Sequence, residues 1–486
     1  MNYLSLKSGT DVRGTAMGEN ADLTASAVFD IAAAFAYWLN EHGLPLKVGV
    51  GRDSRLTGEA LSKVVMDALV KSGCEVFDCG MCSTPSMFMM TKYESTLCGG
   101  SIMITASHHP SDKNGLKFFT GAGGLSSSEL TTVLTYASEG KHLDGNGKIN
   151  HGDYLGLYCD LIKNMILSEL PEGLTGFSVA VDAGSGAGGF FATRILAPLG
   201  ANISGSQFLE PDGRFPFHQP NPENKEAMAS ISARVKETKA DFGIIFDTDV
   251  DRSAVVTSSG VEINRNRLIA LISDILLREN PNAYIVTDSV TSDGLNSFIR
   301  SRGGNHIRYK RGYRNVIDFA IKLNEEGKNA PLAIETSGHA AFKENYFLDD
   351  GAYLAVKLLI NAVKLKKHGK DLDCLISALV QPVEEAEVRI KLTGDDWKEK
   401  GQKVLADMEA FAKANYSLCE SYEGVRANTD WGFFMARMSV HDPIIPINIE
   451  CKVKGGVSKT ANVLCQFLEP YGLDLISLKQ LIIKGE

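Results

Sequence analysis

Ser101-Ile-Met-Ile-Thr-Ala-Ser-His-His-Pro110 is a short apolar run that breaks into a polar loop. The run reads as a buried strand, and the break delivers a small serine, Ser107, at its mouth with two imidazoles beside it. Ligands in open α/β sheets sit just beyond the carboxyl ends of strands. A serine on such a loop reads as a nucleophile or phosphate carrier. The competing reading is an ordinary turn, because Ser and Pro are common turn residues.

Working outward, the same grammar repeats through the first three quarters of the chain: apolar strand, polar loop, amphipathic helix. Strands are expected at 46–50, 75–78, 101–105, 177–181, 241–246, 284–287 and 331–334, with helices between them such as 25–41 and 57–72. This alternation predicts an α/β fold with parallel sheets covered on both faces. Glycine-rich or polar breaks fall at 140–152, near 260–265 and between 364 and 382. Beyond the last break the texture changes. A helix over 395–414, strands around 431–438 and 447–454, and a helix from about 459 to 470 predict a smaller α+β domain.

With 486 residues the chain exceeds what one core supports, so three or four domains are expected. The 44% hydrophobic and 22% charged composition is that of an ordinary globular protein. No apolar run approaches the roughly 18 residues of a membrane span. The N-terminal segment carries neither a secretory nor a transit signature, so a cytoplasmic location is expected. A net charge of −9 disfavours nucleic acid as a partner, and an anionic ligand would need a local basic cluster. Nine scattered cysteines suit a reducing compartment. Cys79-Gly-Met-Cys82 has no second pair at zinc spacing, and the following Ser83-Thr-Pro85 favours a strand-to-helix turn.

A second loop carries more charge. Phe242-Gly-Ile-Ile-Phe246 runs into Asp247-Thr-Asp-Val-Asp-Arg252. Three carboxylates at alternate positions cannot all ionise at close range without a cation. Oxygen-only donors suit Mg²⁺. A calcium-loop reading fails, since Arg252 and Ser258 stand where Gly and Glu are needed. An Asp-nucleophile phosphatase, with Asp247 phosphorylated, remains open, as does a solvated acidic loop. Glu335-Thr-Ser-Gly-His339 follows another apolar run and pairs a carboxylate with a hydroxyl, which suits sugar hydroxyls or, equally, a helix cap. Arg437-Met-Ser-Val-His-Asp-Pro443 offers an arginine fork and hydroxyl and imidazole donors for a phosphate. Gly184-Ser-Gly-Ala-Gly-Gly189 matches the dinucleotide fingerprint with Glu210 at the expected distance, but Asp182 precedes the glycines and no other nicotinamide feature appears.

Taken in order, the four loops at 105–110, 247–252, 335–339 and 437–443 resemble those of the α-D-phosphohexomutase family, which includes phosphoglucomutase and phosphomannomutase. Ser8-Gly-Thr-Asp-Val-Arg-Gly14, Gly51-Arg-Asp-Ser-Arg55, Asn114-Gly-Leu-Lys117 and Asp182–Gly188 add to the resemblance, which spans nearly the whole chain. It implies a four-domain architecture around a central cleft, with three mixed α/β domains at 1–155, 156–262 and 263–376 and a smaller α+β domain at 377–486. It implies reversible phosphoryl transfer between the 1- and 6-positions of a hexose phosphate, through phosphoserine and a hexose 1,6-bisphosphate that also serves as activator. Ser107 would carry the phosphoryl group, and Ser107, Asp247, Asp249 and Asp251 would hold Mg²⁺. Arg13, Lys117, His108 and Arg252 would supply acid/base work and positive charge. Glu335, Ser337 and His339 would bind the sugar, and Arg437, Ser439 and His441 the phosphate that does not react.

Departures from the family pattern are local. His109 stands where many members have Asn. His441, Asp442 and Pro446 replace a Thr, a Glu and a basic residue of the usual phosphate loop. A sugar-contacting lysine is missing from Thr287–Thr291, and Lys310, Arg311 and Arg314 stand in for it. Glucose, mannose and glucosamine phosphates all fit this pattern, and glucose and mannose are expected. A phosphatase using Asp247 and a non-catalytic sugar-phosphate binding protein are the remaining alternatives. The protein is expected to be a monomer or weak dimer.

Overall fold

The computed structural model describes residues 2–419, 421–439 and 442–483. It divides into two compact units: residues 1–272 with 332–377, and residues 273–331 with 378–486. Among the described residues no helix is long and apolar enough to cross a membrane.

The first unit is built on two α/β sheets. In the larger one, Glu75–Met81, Lys47–Arg52 and Gly100–Ile104 lie parallel, with Lys148–His151 parallel at the edge. Helices Ala25–Glu41 and Gly58–Lys71 connect into these strands, as the alternating pattern requires. Thr24 caps the first helix by accepting from the Ala27 amide, and the helix buries Val28, Ile31, Phe35 and Leu39. Phe35 meets Phe118 with ring centroids 4.9 Å apart. Each such buried side chain contributes roughly 1.5–3 kcal/mol.

The expected parallel sheet is in fact mixed. Gly100–Ile104 turns back as Lys113–Thr120 in antiparallel register, with Met103 opposite Lys117. Phe242–Phe246 likewise turns back as Ser253–Thr257, and Leu332–Ile334 as Ala340–Phe342. A parallel return needs a crossover of about a dozen residues or more, and the loops 105–112, 247–252 and 335–339 are too short. The chemistry-bearing loops are therefore hairpin connections, held at both ends by paired strands.

The second sheet of this unit orders Val179–Asp182, Phe242–Phe246, Ser253–Thr257 and Glu262–Ile263. The glycine-rich segment 184–189 follows Val179–Asp182 and packs against backbone. A Cβ on Gly186 would lie 2.7 Å from the Thr248 carbonyl oxygen, and one on Gly189 would lie 2.2 Å from that of Leu209. These glycines permit close approach to the aspartate loop, which explains the fingerprint without a dinucleotide. Cys79 and Cys82 are free, buried thiols. They flank the end of Glu75–Met81, and Ser83 caps the following helix, Thr84–Met89.

In the second unit, Tyr284–Asp288 pairs in parallel with Asn305–Tyr309. The C-terminal segment forms an antiparallel sheet from Glu384–Lys391, Ile444–Cys451, Gly432–Ala436, Val425–Thr429 and Ser417–Leu418. Helices Trp397–Asn415, Gly456–Leu468 and Ile476–Ile483 accompany it. This matches the α+β texture read from the sequence.

Candidate active site

Ser107 follows the strand Gly100–Ile104 and sits at φ 49°, in left-handed space that a serine rarely occupies. Its Oγ donates to Asp247 Oδ2 at 3.0 Å and accepts from Arg252 Nη2 at 3.1 Å. His108 Nδ1 is 3.4 Å from the same oxygen. The Arg252 guanidinium beside it, together with burial, depresses the His108 imidazole far below its ordinary value. Burial, reinforced by Arg13, lowers His109 to about 4. Both imidazoles are thus neutral at pH 7 while Ser107 is unmodified. Beside unmodified Ser107 the His108 imidazole is set as a hydrogen-bonding group, because the positive charge of Arg252 lies against it.

The aspartates converge through a turn rather than a strand, with Val250 at φ 68° reversing the chain between them. Carboxylate oxygens of Asp247, Asp249 and Asp251 lie within 4.8 Å of one another, and all three side chains are buried. Lys117 Nζ, also buried, donates to Asp249 Oδ2 at 3.0 Å and to Asp251 Oδ2. Burial alone would lower this ammonium, but Asp249 and Asp251 outweigh it and raise its pKa. Arg252 Nε and Nη2 both bond Asp247 Oδ2, at 3.1 and 3.0 Å. Burial, with Asp251 next to it, pushes the Asp247 carboxyl well above the usual carboxylate range. At Asp251 burial acts in the same sense, but Lys117, His339 and Arg252 prevail and hold it low.

Two oxygens of this cluster, Asp249 Oδ1 and Asp251 Oδ1, are buried without a hydrogen-bond partner among the described residues. Buried carboxylate oxygens left without a hydrogen bond are costly. A hard divalent cation is the group that would satisfy both at once, so the donor set fits Mg²⁺. A neighbouring set, Asp251, His339 and Asp349, also lies within 4.8 Å. Within it, His339 Nδ1 pairs with Asp349 Oδ2 at 2.5 Å. Burial opposes a proton there, but Asp349 and Asp251 raise the imidazole to about 9. His339, expected against the sugar, is thus a cation at the edge of the aspartate cluster.

The loop 335–339 reaches the cluster through an antiparallel bridge between Arg252 and His339. Gly338 takes φ 94°, and a Cβ there would lie 2.8 Å from the Ser253 carbonyl oxygen, so glycine alone makes this approach. Glu335 and Ser337 are both buried, and Ser337 Oγ has no hydrogen-bond partner among the described residues. Arg13 lies under the serine loop, donating to the Thr105 carbonyl at 2.7 Å and to Asp11 at 2.8 Å. The first unit therefore brings together Ser107, His108, Arg13, Lys117, the three aspartates, Arg252, Glu335, Ser337 and His339.

The other expected residues belong to the second unit. Arg437 is buried at the end of Gly432–Ala436, with Nη1 donating to the Met438 carbonyl at 3.1 Å and Nε without a hydrogen-bond partner among the described residues. Burial, then Arg311, lowers its pKa. Ser439 Oγ accepts from the Asp442 amide at 3.2 Å. Lys310 is exposed, and Arg314 Nε pairs with Asp318 at 2.8 Å. His441 lies outside the described residues.

Several supporting residues escaped the sequence reading. Thr84 donates its hydroxyl to Asp249 Oδ2 at 2.5 Å and its amide to the Asp249 carbonyl at 2.8 Å. Gln219 Nε2 donates to the His108 carbonyl at 2.6 Å, and Asn221 Oδ1 accepts from Arg252 Nη1 at 3.3 Å. Asp349 fixes His339. Thr84 belongs to the segment read as a plain turn, and the cluster His218-Gln-Pro-Asn221 carried a signal only in its density of polar residues between prolines.

Comparison with known proteins agrees with this arrangement. Models of the phosphoglucomutase/phosphomannomutase alpha/beta/alpha domains I, II and III match residues 6–141, 157–260 and 264–383. A phosphoglucomutase of Neisseria gonorrhoeae is 31% identical over 457 residues, covering 93% of this chain and 94% of the relative. A phosphomannomutase/phosphoglucomutase of Pseudomonas aeruginosa is 30% identical over 456 residues, 93% of each chain. The crystal structure of a phosphoglucomutase/phosphomannomutase family protein from Burkholderia thailandensis superposes with a TM-score of 0.81 at 27% identity, covering 97% of this chain and 98% of that one. The hairpin-borne serine, the buried aspartates and these matches along nearly the full length lead to one conclusion: the chain belongs to the phosphoglucomutase/phosphomannomutase family.

Proposed function

We propose that this protein interconverts the 1- and 6-phosphates of a hexose, glucose or mannose, by phosphoryl transfer through Ser107 and a hexose 1,6-bisphosphate. The observation that carries this reading is Ser107 Oγ at 3.0 Å from Asp247 Oδ2, the first member of a buried aspartate cluster with orphaned oxygens. The names of the relatives support the substrate class.

Asp247, Asp249 and Asp251 would hold Mg²⁺ beside Ser107, and a bound Mg²⁺ would neutralise charge on the transferring phosphoryl group. A phosphoserine brings about −1.5 to −2 charge. Arg252, fixed on Asp247 and Asn221, meets that charge at the Ser107 oxygen. Lys117 keeps its proton between Asp249 and Asp251, and protonated His339 adds positive charge at the other end. Phosphoryl transfer needs mostly positioning and neutralisation. In the forward step a sugar hydroxyl attacks phosphorus and loses its proton, the bond from phosphorus to Ser107 Oγ breaks, and Ser107 regains a hydroxyl hydrogen. After the bisphosphate turns over, Ser107 takes the other phosphoryl group by the reverse step. Glu335 and Ser337 would meet the sugar hydroxyls, and Arg437 and Ser439 the non-reacting phosphate. Asp247 is itself engaged by Arg252 and Ser107, which suits a metal ligand better than the nucleophile of a phosphatase.

Ser107→Ala should abolish turnover of glucose 1-phosphate and mannose 1-phosphate in a coupled assay with Mg²⁺ and glucose 1,6-bisphosphate. Intact-mass analysis should find one phosphate on the wild type and none on the variant. Full activity in Ser107→Ala would end this reading, and activity confined to glucosamine 1-phosphate would reassign the sugar.

A further inference from the structure

The loop carrying Ser107 is built around a buried arginine that does not touch the reacting oxygen. Arg55 follows the strand Lys47–Arg52 and is only 2% exposed. Its Nη1 donates to the carbonyls of Pro110 at 2.7 Å and Lys113 at 2.8 Å. Its Nη2 donates to the carbonyls of Ser107 at 2.5 Å and His109 at 2.6 Å. One guanidinium thus gathers oxygens from both arms of the hairpin connection. Only a planar fork with several donors and no acceptor can do so; an ammonium is a single point.

The fork is itself anchored. Asp53, fully buried, pairs with Arg55 Nε at 3.3 Å and accepts from the Arg55 amide at 2.9 Å. Thr105 Oγ1 donates to Asp53 Oδ2, the oxygen that also faces Arg55 Nε, at 2.7 Å and accepts from the Ser107 amide at 2.8 Å. The Phe215 ring lies over the guanidinium, 5.4 Å from its carbon. Both backbone polar groups of Ser107 are therefore tied to one network, its amide through Thr105 and its carbonyl directly. Ser107 stands at φ 49°, a conformation that side-chain-bearing residues avoid unless their surroundings impose it. In that conformation Oγ is presented to Asp247 and Arg252.

We propose that Arg55 is a positioning residue for phosphoryl transfer, holding Ser107 in its left-handed conformation by gathering the carbonyls of residues 107, 109, 110 and 113. The proposal rests on the reading of Ser107 as the phosphoryl carrier. Losing the fork should let the loop relax, and a misplacement of about 1 Å can slow a reaction on the order of 10²-fold.

The test compares Arg55→Lys, Thr105→Val and Thr105→Ser in the full chain with Mg²⁺. It measures steady-state kcat and KM and the single-turnover rate at which glucose 1,6-bisphosphate phosphorylates Ser107, read by intact mass. Arg55→Lys should slow phosphorylation and kcat about 10²-fold with KM unchanged. Thr105→Val should slow the same step, and Thr105→Ser, which keeps the hydroxyl, should restore it. A merely structural role would lower the active fraction without changing the rate per folded molecule. If Arg55→Lys does not fold, the Thr105 pair decides. Wild-type phosphorylation rates in Thr105→Val, or in a folded Arg55→Lys, overturn the proposal. If wild-type Ser107 never acquires phosphate, it is the underlying reading of Ser107 that fails; phosphorylated wild type with unimpaired variants refutes only the role of Arg55.

Discussion

Replacing Thr84 by valine, which keeps the shape and puts a methyl in place of the hydroxyl, should weaken Mg²⁺ binding although Thr84 is not a ligand. Thr84 Oγ1 donates to Asp249 Oδ2, an oxygen that also receives Lys117 Nζ at 3.0 Å, while Oδ1 is left without a partner. The hydroxyl therefore turns one oxygen away and leaves the other for the cation. Two effects compete. A donor on a carboxylate withdraws electron density from it, which weakens a ligand slightly; it also fixes the rotamer, which strengthens binding. Orientation should prevail, because the donated and the orphaned oxygens are different atoms. A hydrogen bond to a buried charged group is worth about 1.5–3 kcal/mol. Loss of a partner that orients a metal ligand commonly costs about 10–100-fold in affinity, or about 1.4–2.7 kcal/mol, and the two ranges overlap. Calorimetric titration with Mg²⁺ should therefore show Thr84→Val binding about 10–100-fold more weakly, with Thr84→Ser close to wild type. The Mg²⁺-dependent rise in Tm should shrink in step, as ligand linkage requires. Equal affinities in Thr84→Val and wild type, or a Thr84→Ser as weak as the valine variant, would refute the reasoning.

Gly186→Ala should destabilise the protein by roughly 1–3 kcal/mol, as overpacking does, because its Cβ would meet the Thr248 carbonyl at 2.7 Å. Since Thr248 lies between two of the aspartates, Mg²⁺ affinity should fall as well; a stable variant with unchanged affinity would show that this contact is not needed. Glu450, in the C-terminal sheet, is raised to about 7 by burial, against the pull of Arg426. A carboxyl with a raised folded pKa favours the native state fully below its unfolded value near 4.5, and that contribution is lost as pH rises through about 7. Glu450→Gln should accordingly gain Tm relative to wild type between pH 4.5 and 8. A difference in Tm that does not vary with pH would contradict the assignment.

Much of the molecule was legible because period and punctuation act locally. The helix read over 25–41 is found at Ala25–Glu41, and the strands before Ser107 and Asp247 lie within a residue of their expected limits. The aspartate cluster was legible for an electrostatic reason: three carboxylates at alternate positions beside a buried strand cannot all ionise at close range without a cation. The mixed sheet was only half legible. Strand Lys113–Thr120 is not among the expected strands: it carries Asn114, Gly115 and Lys117, residues uncommon in strands, and its place is set by pairing, with its lysine drawn inward by Asp249 and Asp251.

By itself the sequence determined the order of strands and helices, the serine and aspartate loops and the need for positive charge near them, since these follow from local polarity and spacing. Only the tertiary structure decided which groups supply that charge. His108, beside the serine, is neutral because Arg252 lies against it, whereas His339, far along the chain, is protonated because Asp349 and Asp251 face it. The same holds for Arg55, Thr84 and Asn221. Their roles depend on carbonyls, a carboxylate and a guanidinium tens to more than a hundred residues away, and on burial that gives such contacts their strength, neither of which spacing along the chain encodes.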